Sequence, residues 1–346
     1  MTFHVGLIGG GNISRTHARA AQAIPGVAVA AIYGTNVEKV AALARECRAA
    51  AYHDLEAFLR HRPMDLVMIG SPSGLHAEHG IAAARRELHV LTEKPLDIST
   101  ARADALIAAA DQAQVKLGVL FQDRLKPHLV QLKSWLDQGL LGKILLVDAR
   151  VKWYRPPDYY ANSRWRGTLA LDGGGALMNQ GVHTIDLLLW LLGDVSHVQA
   201  RIATQLHKIE SEDTAVALVE FSSGAMGVLH ATTCAFPGYP RRVEITGTEG
   251  TVILEHDRIV AADLRNSPAA ANICSSLARL DTSIPLDQNQ SATSAAVSDF
   301  RGHQAILEDF LAAIQGNRAP VCDGREGRRS VALVESMYSF ATSSTP

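Results

Sequence analysis

Short apolar runs rich in β-branched residues alternate with alanine-rich amphipathic stretches along the first third of the chain. The apolar runs predict strands over residues 4–8, 27–32, 65–70, 89–92 and 117–121. The stretches between them predict helices over residues 14–23, 37–44, 55–60, 76–86 and 100–112. Asp54 and Ser99 stand where helix N-caps are expected. Strands and helices that alternate in this way predict an α/β fold, a doubly wound parallel sheet with helices on both faces.

The pattern changes after residue 122. A helix is predicted at 127–138, a strand at 143–154, a polar aromatic loop at 155–168 and a helix at 175–192. Strands with alternating apolar and polar positions are then expected at 197–206, 214–221, 225–231, 242–246 and 251–255. Ser222-Ser223-Gly224 and Thr248-Glu249-Gly250 are typical hairpin turns. The second half is therefore predicted to be an α+β domain with a largely antiparallel sheet.

The 346 residues suit two domains, which we expect over residues 1–122 and 123–346. Residues 266–298 are rich in alanine, serine, asparagine and aspartate and lack clear periodicity, so they predict a loop insertion. Helices expected at 304–315 and 327–341 close the chain.

Composition excludes several function classes. The formal net charge is -2 and the pI is near 6.7, which provides no basic field for nucleic acid or membrane surfaces. No uncharged apolar run reaches the about 20 residues that cross a bilayer, and the first residues lack a basic signal-peptide region. Cys47, Cys234, Cys274 and Cys322 lie far apart, which indicates neither a zinc site nor a disulfide framework. We expect a cytoplasmic protein with reduced thiols and no nucleic-acid or membrane partner.

Glycines occupy the junction between the first predicted strand and the first helix, in the pattern Gly9-x-Gly11-x-x-Ser14. Such a turn brings a dinucleotide pyrophosphate close to the backbone, and the following helix offers N–H groups and the positive end of its dipole. Gly9, Gly11, Asn12, Ile13 and Ser14 are therefore predicted to bind the cofactor phosphates. Ser14 replaces the usual third glycine or alanine, and a purely structural turn is the alternative.

The second predicted strand ends without the carboxylate that holds the ribose in many NAD sites. Thr35 and Asn36 stand there instead, and the first acidic residue of the chain is Glu38. Thr35 and Asn36 are suited to hydrogen-bond a 2′-phosphate, and Arg15 or Lys39 to neutralise it. We expect NADP or NAD as the cofactor, with a slight preference for NADP.

Two further loops follow strands at the carboxyl edge of the predicted sheet, where open parallel sheets bind ligands. One loop runs from Gly70 to His76 and the other is Glu93-Lys94-Pro95. A partly desolvated Lys94 beside a cationic nicotinamide is suited to proton transfer, whereas a lysine without that context is usually a surface residue. Asp123 and Arg124 are secondary candidates beside the same edge. The cofactor contacts predicted at this edge are Ser71, Pro72, His76, Glu93, Lys94 and Gln122.

The helix at 175–192 places Asn179, His183, Asp186 and Trp190 on one face, and leucines on the opposite face. Asn179 one turn before His183 and Asp186 one turn after it are able to fix the tautomer of the ring. His183 is therefore a candidate general base, with a structural histidine as the alternative. A metal site on Asn179, His183 and Asp186 is the less favoured alternative, because the sequence shows no further cluster of metal ligands to support it.

Together these motifs resemble the glucose–fructose oxidoreductase, inositol dehydrogenase and rhizopine-catabolism (Gfo/Idh/MocA) family. The resemblance rests on G-x-G-x-x-S, S-P-S-G-L-H, E-K-P and N-Q-G-V-H-T-I-D, and covers nearly the whole chain. It implies a Rossmann domain, a C-terminal domain with an open sheet, and a homodimer or homotetramer formed through that sheet. It also implies that Lys94 and His183 are catalytic. Family members typically carry aspartate four residues before that histidine, where this chain has Asn179, which cannot transfer a proton.

Finer features resemble particular branches of the family. The Asn-Gln pair, with the upstream stretches 165–168 and 172–175, is similar to the UDP-N-acetylglucosaminuronate 3-dehydrogenase-like branch. Thr35-Asn36-x-x-Lys39 is similar to the NADP-binding end of the second strand in glucose–fructose oxidoreductase.

An aromatic and basic loop precedes the candidate catalytic helix. Sugars stack on aromatic rings, and arginine binds carboxylates or phosphates through its forked N–H groups. The loop therefore predicts recognition of an acidic or nucleotide-linked sugar, with packing over the cofactor or at a subunit interface as the alternative. The predicted substrate contacts are Lys94, Tyr160, Trp165, Arg166, Asn179 and His183.

The function predicted from these residues is NAD(P)-dependent hydride transfer at a secondary hydroxyl or ketone of a sugar, sugar acid, nucleotide sugar or cyclitol. His183 takes the hydroxyl proton, Lys94 polarises the oxygen or completes the proton relay, and Asn179 positions the substrate. The alternatives are a glycosidase that oxidises its substrate transiently and eliminates the aglycone, and a non-catalytic dinucleotide sensor.

Overall fold

The computed structural model describes residues 2–265 and 299–343, so the predicted loop insertion at 266–298 lies outside the described residues. The described chain forms two compact units. The first unit contains residues 2–122, 169–173 and 299–332, and the second contains 123–168, 174–265 and 333–343. The chain first passes between the units after residue 122. The later segments at 169–173 and 299–332 also belong to the first unit.

The first unit is built on a six-stranded sheet with the order β3-β2-β1-β4-β5-β6, in which every pairing is parallel. Strands β4 and β6 are buried throughout, as expected for a sheet covered on both faces. The strand order reverses between β1 and β4, and ligands bind at such switch points. The strands are β1 (Phe3–Ile8), β2 (Val27–Tyr33), β3 (Ala50–Tyr52), β4 (Leu66–Ile69), β5 (His89–Thr92) and β6 (Leu117–Val119).

The helices between these strands are α1 (Asn12–Gln22), α2 (Val37–Cys47), α3 (Leu55–Leu59), α4 (His76–Ala84) and α5 (Thr100–Gln112). Both predicted N-caps are confirmed. The carboxylate of Asp54 accepts the N–H of Ala57 at 2.7 Å, and the hydroxyl of Ser99 accepts the N–H of Arg102 at 3.4 Å. The sequence did not predict β3, because three residues are too few for an alternating pattern to be recognised.

Helix α9 (Arg301–Gln315) and the start of α10 (Gly324–Ser343) also belong to the first unit. The fully buried ring of Phe310 packs against β6, where a Cβ on Gly118 would lie 2.8 Å from it. The N–H of Val119 donates to the carbonyl of Cys322 at 3.0 Å. The segment at 299–332 thus continues the first core and its sheet edge, a long-range pairing that local sequence patterns do not reveal.

The second unit is built on a seven-stranded sheet with the order β13-β12-β11-β7-β10-β9-β8. Neighbouring strands are antiparallel except for the parallel pair β7 and β10, so the predicted parallel and largely antiparallel sheets are both confirmed. The strands are β7 (Ile144–Lys152), β8 (Val195–Ala203), β9 (Thr214–Phe221), β10 (Met226–Thr232), β11 (Arg242–Gly247), β12 (Gly250–Glu255) and β13 (Arg258–Leu264).

Both predicted hairpin turns join antiparallel neighbours, β9 with β10 and β11 with β12. The sequence did not predict β13. The turn before it is His256-Asp257, where both residues have positive φ, 50° and 63°, although neither is glycine. Such two-residue turns usually contain glycine, so the signal for this hairpin was absent.

Helices α6 (Pro127–Asp137), α7 (Pro157–Ala161) and α8 (Val182–Leu192) complete the second unit. Helix α7 lies within the predicted aromatic loop. The helix predicted at 175–192 is divided, because Ala176–Gly181 forms a π-helical turn ahead of α8. Within the described ranges, no helix is both long and apolar enough to cross a membrane.

One face of the second sheet carries apolar side chains that remain exposed. Along β9 buried and exposed residues alternate, and Val216 and Leu218 are on the exposed side. Register places Met226 of β10 and Leu146 of β7 on the same face. Met226 is 63% exposed and Leu146 is 51% exposed. In the described chain this face of the sheet is therefore exposed.

Candidate functional site

The glycine turn lies in the first unit, between β1 and α1. Gly9 has a φ of 122°, and a Cβ there would lie 2.7 Å from the hydroxyl of Ser14. Gly11 is the N-cap of α1, and a Cβ on it would meet nothing within 4 Å. No side chain among the described residues caps this helix, so the N–H groups of its first turn border an open cradle. Such a cradle fits the pyrophosphate of a dinucleotide.

The end of β2 carries the residues predicted to distinguish NADP from NAD. Thr35, Asn36 and Lys39 are all exposed. Asn36 is the N-cap of α2, and its Oδ1 accepts the N–H of Lys39 at 2.9 Å. Arg15 forms an ion pair with Glu46 at 3.1 Å. The Thr35 hydroxyl and the Lys39 ammonium therefore lie beside the start of α2, while Asn36 and Arg15 already have protein partners.

Lys94 follows β5 in a turn that buried polar groups hold in place. The carboxylate of Glu93 accepts hydrogen bonds from Nε2 of His17 at 2.9 Å and Nε2 of His303 at 3.1 Å. His17 belongs to α1 and His303 to α9, so these bonds tie the glycine helix and a late segment to the Lys94 turn. Burial alone would raise the pKa of Glu93, but the bonds from both histidines hold that pKa well below its usual range. Burial also lowers the pKa of His17.

His76 joins the two loops that were predicted to bind the cofactor. Its ring lies 2.8 Å from the carbonyl of Pro95 through Nδ1 and 3.0 Å from the carbonyl of Ser71 through Nε2. The residue is 1% exposed. The Ser71 hydroxyl bonds Nδ1 of His79 at 2.9 Å, and burial lowers the pKa of His79 to about 4.

The side chains of Glu93 and His76 thus serve inside the first unit, which leaves their main-chain groups for the predicted cofactor contact. Pro72 precedes a short 3₁₀ turn at Ser73–Leu75, and Gln122 begins another at Gln122–Leu125. Both residues follow strands of the parallel sheet, β4 and β6, at its carboxyl edge.

In the second unit, the π-helical turn at Ala176–Gly181 carries Asn179. Such turns are frequent at functional sites. The buried carboxylate of Glu212 holds the start of this turn and accepts the N–H of Leu177 at 2.7 Å and that of Gly175 at 3.2 Å. A Cβ on Gly175 would lie 1.9 Å from the main-chain oxygen of Glu212. The glycine-rich stretch seen in the sequence is therefore required for this close contact.

A chain of polar groups fixes Asn179. Nε2 of Gln180 donates to Oδ1 of Asn179 at 3.0 Å, and Oε1 of Gln180 accepts from Arg155 at 3.0 Å. Arg155 is 2% exposed, and burial lowers its pKa. Its guanidinium lies 5.6 Å from the ring centre of Tyr159. Tyr159 belongs to the predicted aromatic loop, whereas Gln180, which adjoins Asn179 in the motif, was not predicted as a site residue.

The predicted substrate contacts in the aromatic loop have different environments. Tyr160 is 7% exposed, and its hydroxyl donates to Thr233 at 3.2 Å, so its ring packs in the interior rather than offering a surface to a sugar. Trp165 and Arg166 are partly exposed. The guanidinium of Arg166 lies 4.3 Å from the ring centre of Tyr159 and 5.3 Å from that of Trp165.

His183 is the second residue of α8, and its side chain is 15% exposed. Its Nδ1 lies 3.8 Å from Oδ2 of Asp123. Asp186, predicted to fix the tautomer of His183, has its two oxygens held by Arg124 at 2.9 and 2.7 Å, and both side chains are 1% exposed. This ion pair anchors α8, while Asp123 places a carboxylate near the ring.

Two clusters in the described ranges bring together side chains of the types that ligate metals. The first is the set of Glu93 with its two histidines. In the second, His207 and Cys234 surround Asp213, whose carboxylate already accepts three main-chain N–H groups at 2.8–2.9 Å. Because existing hydrogen bonds account for both carboxylates, we assign these clusters a structural role.

The chain was compared with known proteins. Residues 3–121 match the family model described as an oxidoreductase family with an NAD-binding Rossmann fold, and residues 129–253 match the GFO/IDH/MocA C-terminal domain. The chain is 28% identical to myo-inositol 2-dehydrogenase from Thermotoga maritima, covering 73% of this chain and 75% of the relative. It is 30% identical to the rhizopine catabolism protein MocA from Rhizobium meliloti, covering 72% and 77%.

Among solved structures, the chain is similar to the WlbA dehydrogenase from Bordetella pertussis in complex with NADH and UDP-GlcNAcA. The identity is 32%, the TM-score is 0.90, and the similarity covers 99% of this chain and 96% of that one. These matches confirm the resemblance seen in the motifs. The chain therefore belongs to the GFO/IDH/MocA family of oxidoreductases, with an NAD-binding Rossmann domain and the C-terminal domain of that family.

Proposed function

We propose that this protein transfers a hydride between NAD or NADP and a secondary hydroxyl or ketone carbon of an acidic or nucleotide-linked sugar. The observation that carries the proposal is the environment of His183, a largely buried imidazole with a carboxylate 3.8 Å away and the fixed amide of Asn179 one turn before it. The uncapped glycine helix in the first unit supports the dinucleotide part. The relatives that act on inositol or contain a sugar nucleotide support the substrate class.

A bound nicotinamide would supply or accept the hydride, and the residues of the chain do the proton transfer and orientation. In the oxidation direction His183 accepts the proton of the hydroxyl. Lys94 donates a hydrogen bond to the same oxygen and stabilises the negative charge that develops on it. Asn179, whose orientation Gln180 fixes, hydrogen-bonds the substrate and keeps the reacting carbon in place. The reduction reverses these steps.

The substrate in this proposal carries a carboxylate or phosphate that Arg166 binds. Aromatic rings lie against the guanidinium, an arrangement that leaves the N–H groups at its edge for a planar anion. In the part of the chain that the structure describes, no carboxylate forms an ion pair with Arg166. The similar WlbA structure contains UDP-GlcNAcA, a ligand with both anionic groups.

The cofactor site in this proposal accepts NADP as well as NAD, with a slight preference for NADP. The end of β2 lacks a carboxylate that would repel a 2′-phosphate, and Thr35 and Lys39 are exposed beside the start of α2. Lys39 contributes a positive charge there. The similar structure with bound NADH supports the binding of NAD.

We also propose a homodimer or homotetramer that forms through the open face of the second sheet. Leu146, Val216, Leu218 and Met226 form an exposed apolar area across three adjacent strands. Extended apolar surface of this kind is uncommon on monomers and is typical of protein interfaces.

Lys94→Met and His183→Gln are each expected to lower kcat by about 10²–10⁴-fold, because each removes a group that handles the proton. The dissociation constant for the cofactor should change little. The measurement is steady-state turnover on a panel of sugar acids and nucleotide sugars, with Lys116→Met and His197→Gln as surface controls. Near-wild-type rates in both test variants would show the assignment to be wrong. Release of an aglycone without net cofactor reduction would identify a glycosidase, and cofactor binding without any turnover a sensor.

Arg166→Gln is expected to raise KM for an acidic sugar by about 10–100-fold, the usual effect of losing a charge-assisted hydrogen bond. KM for a neutral sugar should change by less than about threefold. Arg164→Gln, an exposed arginine in the same loop, is the matched control. An equal loss on acidic and neutral sugars would contradict a role for Arg166 in anion recognition.

Lys39→Ala is expected to weaken NADPH binding by about three- to tenfold, because it removes a positive charge at the 2′-phosphate, and to leave NADH binding unchanged. Native mass spectrometry or fluorescence titration of the purified protein measures both constants. Arg45→Ala, in the last turn of the same helix, is the control. If Lys39→Ala weakens binding of both cofactors equally, or if the wild type binds only NADH, the NADP preference is refuted.

Leu218→Lys is expected to shift the sedimenting species toward the monomer, because it places a charge in the apolar face. Sedimentation velocity at micromolar concentration measures the mass. Val130→Lys, at an exposed valine on α6, should leave the assembly intact. A wild-type protein that sediments as a monomer would rule out the proposed assembly.

A further inference from the structure

We propose that Asp123 is a positioning residue for His183, whose carboxylate stabilises the imidazolium that forms when His183 takes the substrate proton. The inference rests on the proposed function for the role of His183. The geometry behind it lies within the second unit alone, because both residues belong to that unit.

Asp123 lies in the 3₁₀ turn Gln122–Leu125, just ahead of α6. Its Oδ2 is 3.8 Å from Nδ1 of His183, with 6% of the Asp123 side chain exposed and 15% of that of His183. This distance is too long for a normal hydrogen bond, but it is short for an interaction between charges in a poorly hydrated site. The carboxylate therefore favours the charged form of the imidazole, whichever ring nitrogen accepts the substrate proton.

Two cations keep Asp123 ionised. Arg241 donates to its Oδ2 at 2.8 Å, and the ammonium of Lys126 lies 2.5 Å from its Oδ1. Burial would raise the pKa of Asp123, but the charges of Arg241, Lys126 and His183 outweigh burial and hold that pKa far below its usual range. The carboxylate is thus charged throughout the pH range of an enzyme assay.

A second carboxylate completes this cluster. Asp257, in the turn between β12 and β13, bonds the same two cations: Lys126 at 2.6 Å and Nε of Arg241 at 2.8 Å. The cluster of Asp123, Lys126, Arg241 and Asp257 therefore contains two positive and two negative charges. Asp123 is the member whose carboxylate is paired with His183.

The carboxylate that lies 3.8 Å from the ring of His183 belongs to a different element. Asn179, one turn before His183, is neutral. Asp186, one turn after it, has both of its oxygens bonded to the guanidinium of Arg124. Asp123 therefore contributes, from a separate element, the negative charge that Asn179 lacks.

The experiment compares Asp123→Asn with Asp257→Asn. Each variant removes one negative charge from the same cluster and replaces a carboxylate with an amide of similar size, but only Asp123 is paired with the ring of His183. Two quantities are measured for each variant and for the wild type. The first is the titration midpoint of His183, from NMR spectra of protein with ¹³C-labelled histidine, in which His183→Gln identifies the signal. The second is the pH profile of kcat/KM for oxidation.

Asp123→Asn is expected to lower the midpoint of His183 by about one pH unit, because the loss of a negative charge favours the neutral imidazole. The acid limb of kcat/KM should move to lower pH by the same amount, and kcat should fall by up to about tenfold because His183 becomes a weaker base. Asp257→Asn should leave both midpoints nearly unchanged, although calorimetry should show that both variants lose thermal stability.

Equal shifts in the two variants, or no shift in Asp123→Asn, would overturn the inference. If the single variant does not fold, the double variant Asp123→Asn/Lys126→Met removes one charge of each sign and must still show a downward shift, smaller than that of the single variant because the loss of the lysine acts in the opposite direction. The NMR midpoint does not depend on turnover, so a wild type without dehydrogenase activity refutes the proposed function and leaves this test intact. Turnover with an unmoved midpoint refutes only the role of Asp123.

Discussion

A buried carboxylate must receive hydrogen bonds, and in the first unit this requirement fixes the turn that carries Lys94. An ionised carboxylate without partners in a protein interior costs several kcal/mol, far more than one surface contact returns. Glu93 meets the requirement with two imidazoles, one from α1 and one from α9. Those bonds hold together the start of the chain, the strand edge and a segment about two hundred residues later. The position of Lys94 is thus a consequence of how its neighbour is buried.

The same constraint organises the second unit. Glu212 is buried where the π-helical turn begins, and the N–H groups it accepts determine how the chain enters that turn. Asp186 is buried within α8 and is matched by Arg124, and breaking such a pair by removing one partner typically costs about 3–5 kcal/mol. Asn179 and His183 lie between these two anchored carboxylates. We expect the orientation of both side chains to depend on Glu212 and Asp186. Substitutions at either carboxylate should therefore alter the site, although neither carboxylate is proposed to contact a substrate.

Sequence patterns predicted the fold more accurately than the burial and contacts of individual side chains. Alternation and glycine spacing report local conformation, which is why both sheets, both hairpin turns and the caps Asp54 and Ser99 were predicted correctly. The same patterns cannot show that Phe310 packs against Gly118, because that contact joins residues far apart in sequence. Sequence also cannot tell an exposed tyrosine from a buried one within an aromatic loop, and Tyr160 is the buried case.

The candidate site also contains long-range contacts that sequence patterns do not reveal. The sequence located Lys94 and His183 by motif, and it identified Asn179 as a position without the usual charge. It assigned the tautomer of His183 to Asn179 and Asp186, because helical spacing is the proximity that a sequence displays. In the structure Asp186 is matched by Arg124, and the carboxylate beside the ring comes from Asp123, sixty residues earlier.

Because the carboxylate near His183 comes from Asp123, outside the helical segment, two roles that one aspartate would combine are divided between Asn179 and Asp123. An aspartate at position 179 would both hydrogen-bond the substrate and lend its charge to His183, so a change in either task would disturb the other. In the proposed function the contact of Asn179 with the substrate is neutral, and Gln180 fixes the orientation of the amide. The negative charge comes in this proposal from Asp123, which Arg241 and Lys126 keep ionised. Beside the anionic substrate proposed above, a neutral amide also avoids the repulsion that a carboxylate would cause. The arrangement therefore suits the proposed site, which binds an anionic substrate and also stabilises the positive charge that forms on the base.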